Sequence, residues 1–474
     1  MLKWQKIAVG VVLTLALLVA FGCAKAPAPE VTPEVPTAPE VEKTATIGLL
    51  GALTGPLRIV AGATYAIEDY MTYINDKGGI EYADPKTGKT EHFKFKWIMG
   101  DHGWDSAKCI SLYERFKASG MIWAFTNGSV PSVSVYAMMA RDHIPGTPCG
   151  CTGEPCFYDI EEPYLHADMA FMPQVDSAIS GYFVNHLWEG EGTPKIGIMA
   201  ANVGSRRVLD LPEAHTYDSV TAMGGELLPI EYVPITPVDM KVVFSRLVDK
   251  GANLIQLDHW GEAATRVFIH NAIDLKLWEK GIALIPEWSD NALMLSEPDV
   301  WATYEKMGGK LLIMRVGWGG SKAEYDKYAS KYPGMKLSFD LCEKYRNKLP
   351  EEIYGGQYLS GTKDGMILEM VFKSTLEKYG FEGLTGEHLR DALFSLELID
   401  SGGLFPPFIV NPDQRTTQPH MCLCSLTSDG HQVFDPEVYP WLEAAPVWGL
   451  TWNPYKLPAE WAPYVFTNYM EVIP

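Results

Sequence analysis

After residue 22 the sequence has no apolar run of the ~18 residues needed to cross a bilayer as a helix, so membrane contact is expected only through its first segment. Positive charge is also short: 39 Lys and Arg stand against 59 Asp and Glu, a formal net charge of −20. With no basic cluster to offset that balance, nucleic-acid phosphates would be repelled. Three catalytic signatures are missing as well: a G-x-S-x-G elbow, an H-E-x-x-H helix and a phosphate-cradling G-x-x-x-x-G-K loop. No activated group stands out, so no catalytic residue, enzymatic activity or cofactor is expected. Cysteine is scarce, at 8 in 474 residues. Beyond Cys23 there remain Cys109, Cys149, Cys151, Cys156, Cys342, Cys422 and Cys424, an odd count that leaves at least one unpaired within the chain if the others are oxidised. Cys149, Cys151 and Cys156 lack the paired C-x-x-C spacing of zinc ribbons, so disulfides or buried thiols are expected there and metal is not.

What is present begins with Lys3 and Lys6, an apolar run over 7–21, and Gly22-Cys23. This reads as a secretory signal over residues 1–22. Its ending resembles a bacterial lipoprotein signal, which implies that Cys23 carries lipid and that the exported chain sits in the periplasm or at the outer cell face. Residues 23–43 then alternate proline with small and acidic residues, a composition that stays extended and serves as a tether.

The remaining body is organised around residues 46–80, TIGLLGALTGPLRIVAGATYAIEDYMTYINDKGGI. Five mostly apolar residues, 47–51, fit one buried strand. A Thr-Gly-Pro turn at 54–56 follows, then Ala63, Ile67, Tyr70, Met71 and Ile74 at helical spacing, with Gly78 and Gly79 as the stop. Further strands are predicted over 93–99, 122–126 and 144–147, with helices over 105–119 and 132–142 between them. A second series follows: a helix over 175–188, strands over 195–201, 226–233, 252–260 and 282–288, and helices to 223, over 240–250 and to 275. A strand over 310–313 leads into a glycine-rich loop, GWGGS, and 361–379 reads as one amphipathic helix. Strands alternating with helices imply parallel sheets with right-handed crossovers, and the length suits two lobes.

In order, TIGLLGALTGP, YINDKGGI, a strand ending in Asp101 before DSAKC, GGELLPIEYVPITPVDM, and LTGEHLRDALFSLELIDSGGLFPPFIVNPDQ resemble the branched-chain amino-acid type of periplasmic binding protein. The resemblance spans 46 to about 435. It implies an α/β fold of two doubly wound Rossmann-like lobes joined by a three-strand hinge, a type I periplasmic binding protein, with lobe I from 44–168 and 338–398 and lobe II from 169–337 and 399–474. It further implies that strand-end turns of both lobes close on a ligand. The positions carried over are Thr54, Arg58, Trp104, Asn127, Ser129 and Thr147 in lobe I, and Arg206, His259, Trp260 and Trp288 in lobe II.

Those turns depart from the family pattern, with TNGSVPS and GTPCG where serine-rich segments are usual. Arg58 or Arg206 could grip a carboxylate, and Trp104, Trp260 and Trp288 could cover an apolar body. The ligand expected is therefore an amino acid or a hydrophobic or aromatic carboxylate. The partners implied are that small molecule and an ABC permease, with the membrane met only through the anchor and the chain a monomer. A receptor of the same fold docking on a membrane sensor is the alternative, and neighbouring permease or kinase genes would separate the two.

Overall fold

The run at 47–51 forms the centre of a sheet because parallel neighbours cover both of its edges. The protein is described here by a computed structural model covering residues 42–55, 58–149, 164–165, 172–202, 206, 208–210, 216–259, 262–286, 302, 311–315, 317–396, 399–407, 420–426, 432–434, 436 and 442–443. The chain divides into two units, Met1–Glu42 and Lys43–Pro474, and every element named below belongs to the second.

In the first sheet β1 (Lys43–Gly51) lies between β3 (Thr90–Asp101) and β4 (Met121–Asn127), and β5 (Gly146–Cys149) follows β4, all parallel. The short β2 (Ile80–Ala83) adds an antiparallel edge against β3. Sequence reading missed β2 because it follows directly on the Gly78-Gly79 stop, where both glycines are left-handed. Helix α1 (Ala61–Asp76) buries Ala63, Ile67, Tyr70, Met71 and Ile74, the stripe expected from spacing. Asp105 caps α2 (Ser106–Ala118) by accepting from the Lys108 amide. Helix α3 (Ser129–Arg141) begins three residues earlier than its spacing suggests.

A second parallel sheet has β6 (Lys195–Ala201) beside β9 (Leu254–Asp258), with β10 (Ala283–Pro286) outside β9. The strand expected over 226–233 is two pieces, β7 (Glu226–Leu227) and β8 (Glu231–Val233), both paired with β6. Pro229 between them cannot donate to a ladder, which is the physical reason for the break. Helix α4 (Met172–Tyr182) packs on this sheet, and the stretch read as its last turn is a π-turn, Phe183–Leu187. Helices α5 (Thr216–Ala222), α6 (Lys241–Asp249) and α7 (Glu262–Asp274) complete the alternation. The strand expected over 310–313 lies at β11 (Ile313–Arg315) and pairs antiparallel with β12 (His420–Leu426). That third sheet also holds β13 (Gln432–Val433) and β14 (Leu442–Glu443).

Helices α8 (Lys322–Tyr328), α9 (Pro333–Arg346), α10 (Gly355–Tyr379) and α11 (Gly386–Phe394) follow β11. Helix α10 starts six residues before its predicted start and returns to the first sheet, where Phe372 lies 5.4 Å from Phe93 and 5.3 Å from Phe95 by ring centroid. Fully burying each such side chain stabilises by ~1.5–3 kcal/mol, enough to hold a segment nearly 300 residues away in sequence against β3. The GWGGS segment is a closed loop: the buried Glu324 carboxylate accepts from the amides of Gly319, Gly320, Ser321 and, across the chain, Phe434. Trp318 is buried against Tyr328, Tyr332 and Phe434.

No helix among the described residues is long and apolar enough to cross a membrane. Cys109 and Cys342 are free thiols, and burial pushes each up to about 12. Their inertness follows, since the thiolate is the reactive form. The side chains of the other cysteines lie outside the described residues.

Candidate functional site

In an open α/β sheet ligands are met beyond the carboxyl ends of the strands, and in the first sheet these are the ends of β1, β3, β4 and β5. The turn after β1 is tied to the end of β3 by Asp101, which accepts from the Leu53 amide (2.9 Å), the Thr54 amide (3.2 Å), the Gly103 amide (2.9 Å) and the Thr54 hydroxyl. Burial pushes against the charged form, but these donors prevail and hold its carboxyl below the ordinary range. Thr54 is therefore engaged with Asp101 and fixes the turn.

Trp104, next along, has a left-handed backbone (φ 70°), costly for a residue with a Cβ. Two contacts offset that cost. Its amide donates to His102 Nδ1 (3.1 Å), and its indole lies where a Cβ on Gly128 would stand, 2.0 Å from the ring. Gly128, itself at φ 91°, is therefore required both for conformation and for room. Trp104 packs against Ala52, Ile59 and Val60.

His102 is fully buried, with Nε2 3.2 Å from the Leu50 carbonyl, and burial pushes its pKa down to about 4. Because Nδ1 accepts from Trp104, the neutral ring carries its proton on Nε2. Nothing in the sequence pattern marked this histidine, whose role appears only when β1 and β3 lie side by side.

Asn127, at the end of β4, donates through Nδ2 to the Val60 carbonyl (2.7 Å) and the Thr64 hydroxyl (2.9 Å). It pins the short turn Arg58–Val60 against the sheet. Arg58 in that turn is exposed and has no ion pair among the described residues. Thr147 pairs in register with Phe125, so it shares the sheet face that Phe125 and Asn127 occupy and is fully buried. Asn127 Oδ1 and Thr147 Oγ1 are buried without a hydrogen-bond partner among the described residues. Ser129 opens α3, whose N-cap, Gly128, supplies no side-chain cap. First-turn amides left this way favour an anion.

The second sheet presents a different arrangement. Arg206 is 1% exposed and its Nε lies 2.9 Å from both carboxylate oxygens of Asp258, at the end of β9, which is itself 0% exposed. Its charge is thus met at the end of β9. His259, adjacent to Asp258, places Nε2 3.3 Å from the Pro234 carbonyl, and burial, with Arg206 adding to it, pushes its pKa down to about 4. Asp258 was not among the residues singled out by sequence, although it ends a strand one residue before His259. Trp260 and Trp288 lie outside the described residues. Among the described residues, no group of three or more His, Cys, Asp or Glu could hold a metal ion.

Residues 44–431 match the protein family described as periplasmic binding protein. The chain belongs to that family. A search of curated proteins found no match. Solved structures similar to this periplasmic binding protein include a fatty acid ABC transporter substrate-binding protein from Thermomonospora curvata, 17% identical with a TM-score of 0.64, covering 87% of this chain and 95% of that one. A branched chain amino acid ABC transporter from Thermus thermophilus with bound valine is 16% identical, with a TM-score of 0.60 and coverage of 83% and 95%. A solute binding protein of an ABC transporter from Rhodopseudomonas palustris HaA2, in complex with p-hydroxybenzoic acid, is 16% identical, with a TM-score of 0.62 and coverage of 86% and 99%. At these identities the likeness is one of fold, and it is the type I fold that the sequence resemblance implied for this periplasmic binding protein.

Proposed function

We propose that this chain is an extracytoplasmic solute-binding lipoprotein, without enzymatic activity, that captures a small carboxylate between two lobes and delivers it to an ABC permease. The observation that carries the reading is the juxtaposition at the first sheet's strand ends. An exposed arginine sits on a turn pinned by Asn127, and the uncapped start of a 13-residue helix follows β4. A cation and free amides are what a carboxylate needs. The three structural relatives bear names or ligands of acids, which fits an amino acid, a fatty acid or an aromatic acid.

In this reading lobe I comprises 44–168 and 338–398, and lobe II 169–337 and 399–474. Arg58 and the Ser129 amide meet the carboxylate. Thr54, Trp104 and Asn127 hold the wall, and the buried Thr147 backs it. From lobe II, Arg206 and His259 shape the opposing turns, and Trp260 and Trp288 cover the apolar part. A ligand at a hundredfold its dissociation constant adds ~2.7 kcal/mol to stability, so a thermal-shift screen of branched-chain amino acids, aromatic acids, dicarboxylates and short fatty acids is expected to give at least one clear rise. Arg58→Ala is expected to weaken binding of that hit by about tenfold or more, the worth of one charge-assisted bond. Undiminished affinity would return Arg58 to the solvent, and no rise from any class would remove the carboxylate assignment.

The lipid anchor is tested separately. Cys23→Ser is expected to move the protein from the membrane fraction to the soluble fraction on cell fractionation. Retention in the membrane without processing would make the apolar run over 7–21 the anchor.

A further inference from the structure

A cavity of about 460 Å³ opens at the other end of the second sheet, lined by Phe183, Leu187, Trp188, Ala283, Ile285 and Leu312, with Glu189, Asn253 and Lys280 at its polar edge. Asn253 immediately precedes β9, and Ala283 opens β10, so the cavity lies at the amino ends of strands whose carboxyl ends face the proposed cleft. A strand of five residues separates the two by roughly 15 Å. The volume far exceeds the ~30 Å³ of a water and falls within the ~300–1,000 Å³ typical of small-molecule sites.

Its apolar wall is built and held. In the π-turn the Trp188 amide bonds to the Phe183 carbonyl (2.8 Å), a widened turn of a kind common at functional positions. The Trp188 indole donates to the Gly192 carbonyl (3.3 Å), and a Cβ on Gly190 would stand 2.3 Å from the ring. The loop Trp188–Gly192 thus clamps the indole in place. The polar edge is uncommitted: Lys280 and Glu189 make no ion pair among the described residues, and Asn253 uses its Oδ1 on the Lys195 amide while its Nδ2 remains a spare donor.

The geometry points to a second binding site, independent of the interlobe cleft, for a small apolar carboxylate: its ring or chain against Phe183, Leu187 and Trp188, its charge on Lys280 and Asn253 Nδ2. A carboxylate is favoured over a cation because two donors, one of them charged, stand against the single acceptor Glu189.

The test uses the exported chain labelled with 5-fluorotryptophan, in which the fluorine resonance lost in Trp188→Phe belongs to Trp188. Benzoate is expected to shift that resonance saturably, and Lys280→Ala, an exposed position that leaves the fold intact, to weaken the saturation about tenfold. Arg58→Ala is expected to leave it unchanged, which separates this site from the cleft whether or not the cleft binds acids. The site is overturned by a Trp188 resonance that benzoate leaves unmoved up to roughly 10 mM, a range that covers millimolar binding. Equal saturation in Lys280→Ala overturns it too, as does benzylamine binding as tightly as benzoate.

Discussion

Replacing Asp258 with alanine is expected to lower the unfolding free energy by about 3–5 kcal/mol, because it removes the buried carboxylate whose two oxygens both meet the buried Arg206 Nε. An exposed ion pair is worth at most ~1 kcal/mol, so burial decides the magnitude. The loss extends beyond the pair. Tyr232 donates its hydroxyl to the Arg206 carbonyl (3.4 Å), and His259 beside Asp258 reaches the Pro234 carbonyl, so three strand-end segments relax together. Urea unfolding of Asp258→Ala and of the double variant Arg206→Met/Asp258→Leu measures it. The double variant, which buries no charge, is expected to recover most of the stability. A single-variant loss under ~1 kcal/mol would show that the Arg206 charge does not depend on Asp258.

Mild acid is expected to destabilise the protein well before its carboxylates titrate. His102 and His259 are both pushed down to about 4 by burial, whereas an unfolded histidine titrates near pH ~6.5. As pH falls below ~6.5 the unfolded chain takes up protons that the folded chain refuses. Stability is lost from there down to about 4, where the folded imidazoles begin to charge as well. Each ring accounts for about 3 kcal/mol over that window. Asp69 works the other way: burial raises its carboxyl despite Arg346, so its charged form costs stability that returns on protonation, one group against two. Asp142, held low by Arg141, loses its contribution only at still lower pH. Urea midpoints between about pH 7 and pH 4 give the profile. His102→Gln is expected to remove about half of the slope, and a flat wild-type profile would mean that these rings take up protons in the folded chain as readily as in the unfolded one.

The long periodic stretches were legible in the sequence because their burial is one-sided or complete. The strand over 195–201 ends where its spacing says, and the helix carrying Ile67, Met71 and Ile74 buries that stripe. Elements of two to four residues were not legible. The antiparallel β2 and the broken pair β7 and β8 are set by the neighbours they pair with and by Pro229, not by any period of their own. Among site residues, spacing located turns but not orientation. Arg206 and Arg58 look alike in sequence, yet one is fully buried on Asp258 and the other exposed.

By itself the sequence determined the alternation of strands and helices, the parallel sheets that alternation requires, the family, and which turns stand at strand ends. Local periodicity and residue order are enough for those, since both follow from which faces must leave water. Only the tertiary structure decided what each turn residue does: that Thr54 closes on Asp101, that His102 is neutral and buried, and that Asn127 holds the turn of Arg58. It also placed a cavity between the π-turn and the starts of two strands distant in sequence. The reason is that hydrogen bonding and desolvation depend on partners 50 or more residues away, as with Asp258, 52 residues from Arg206, and a one-dimensional pattern does not carry that distance.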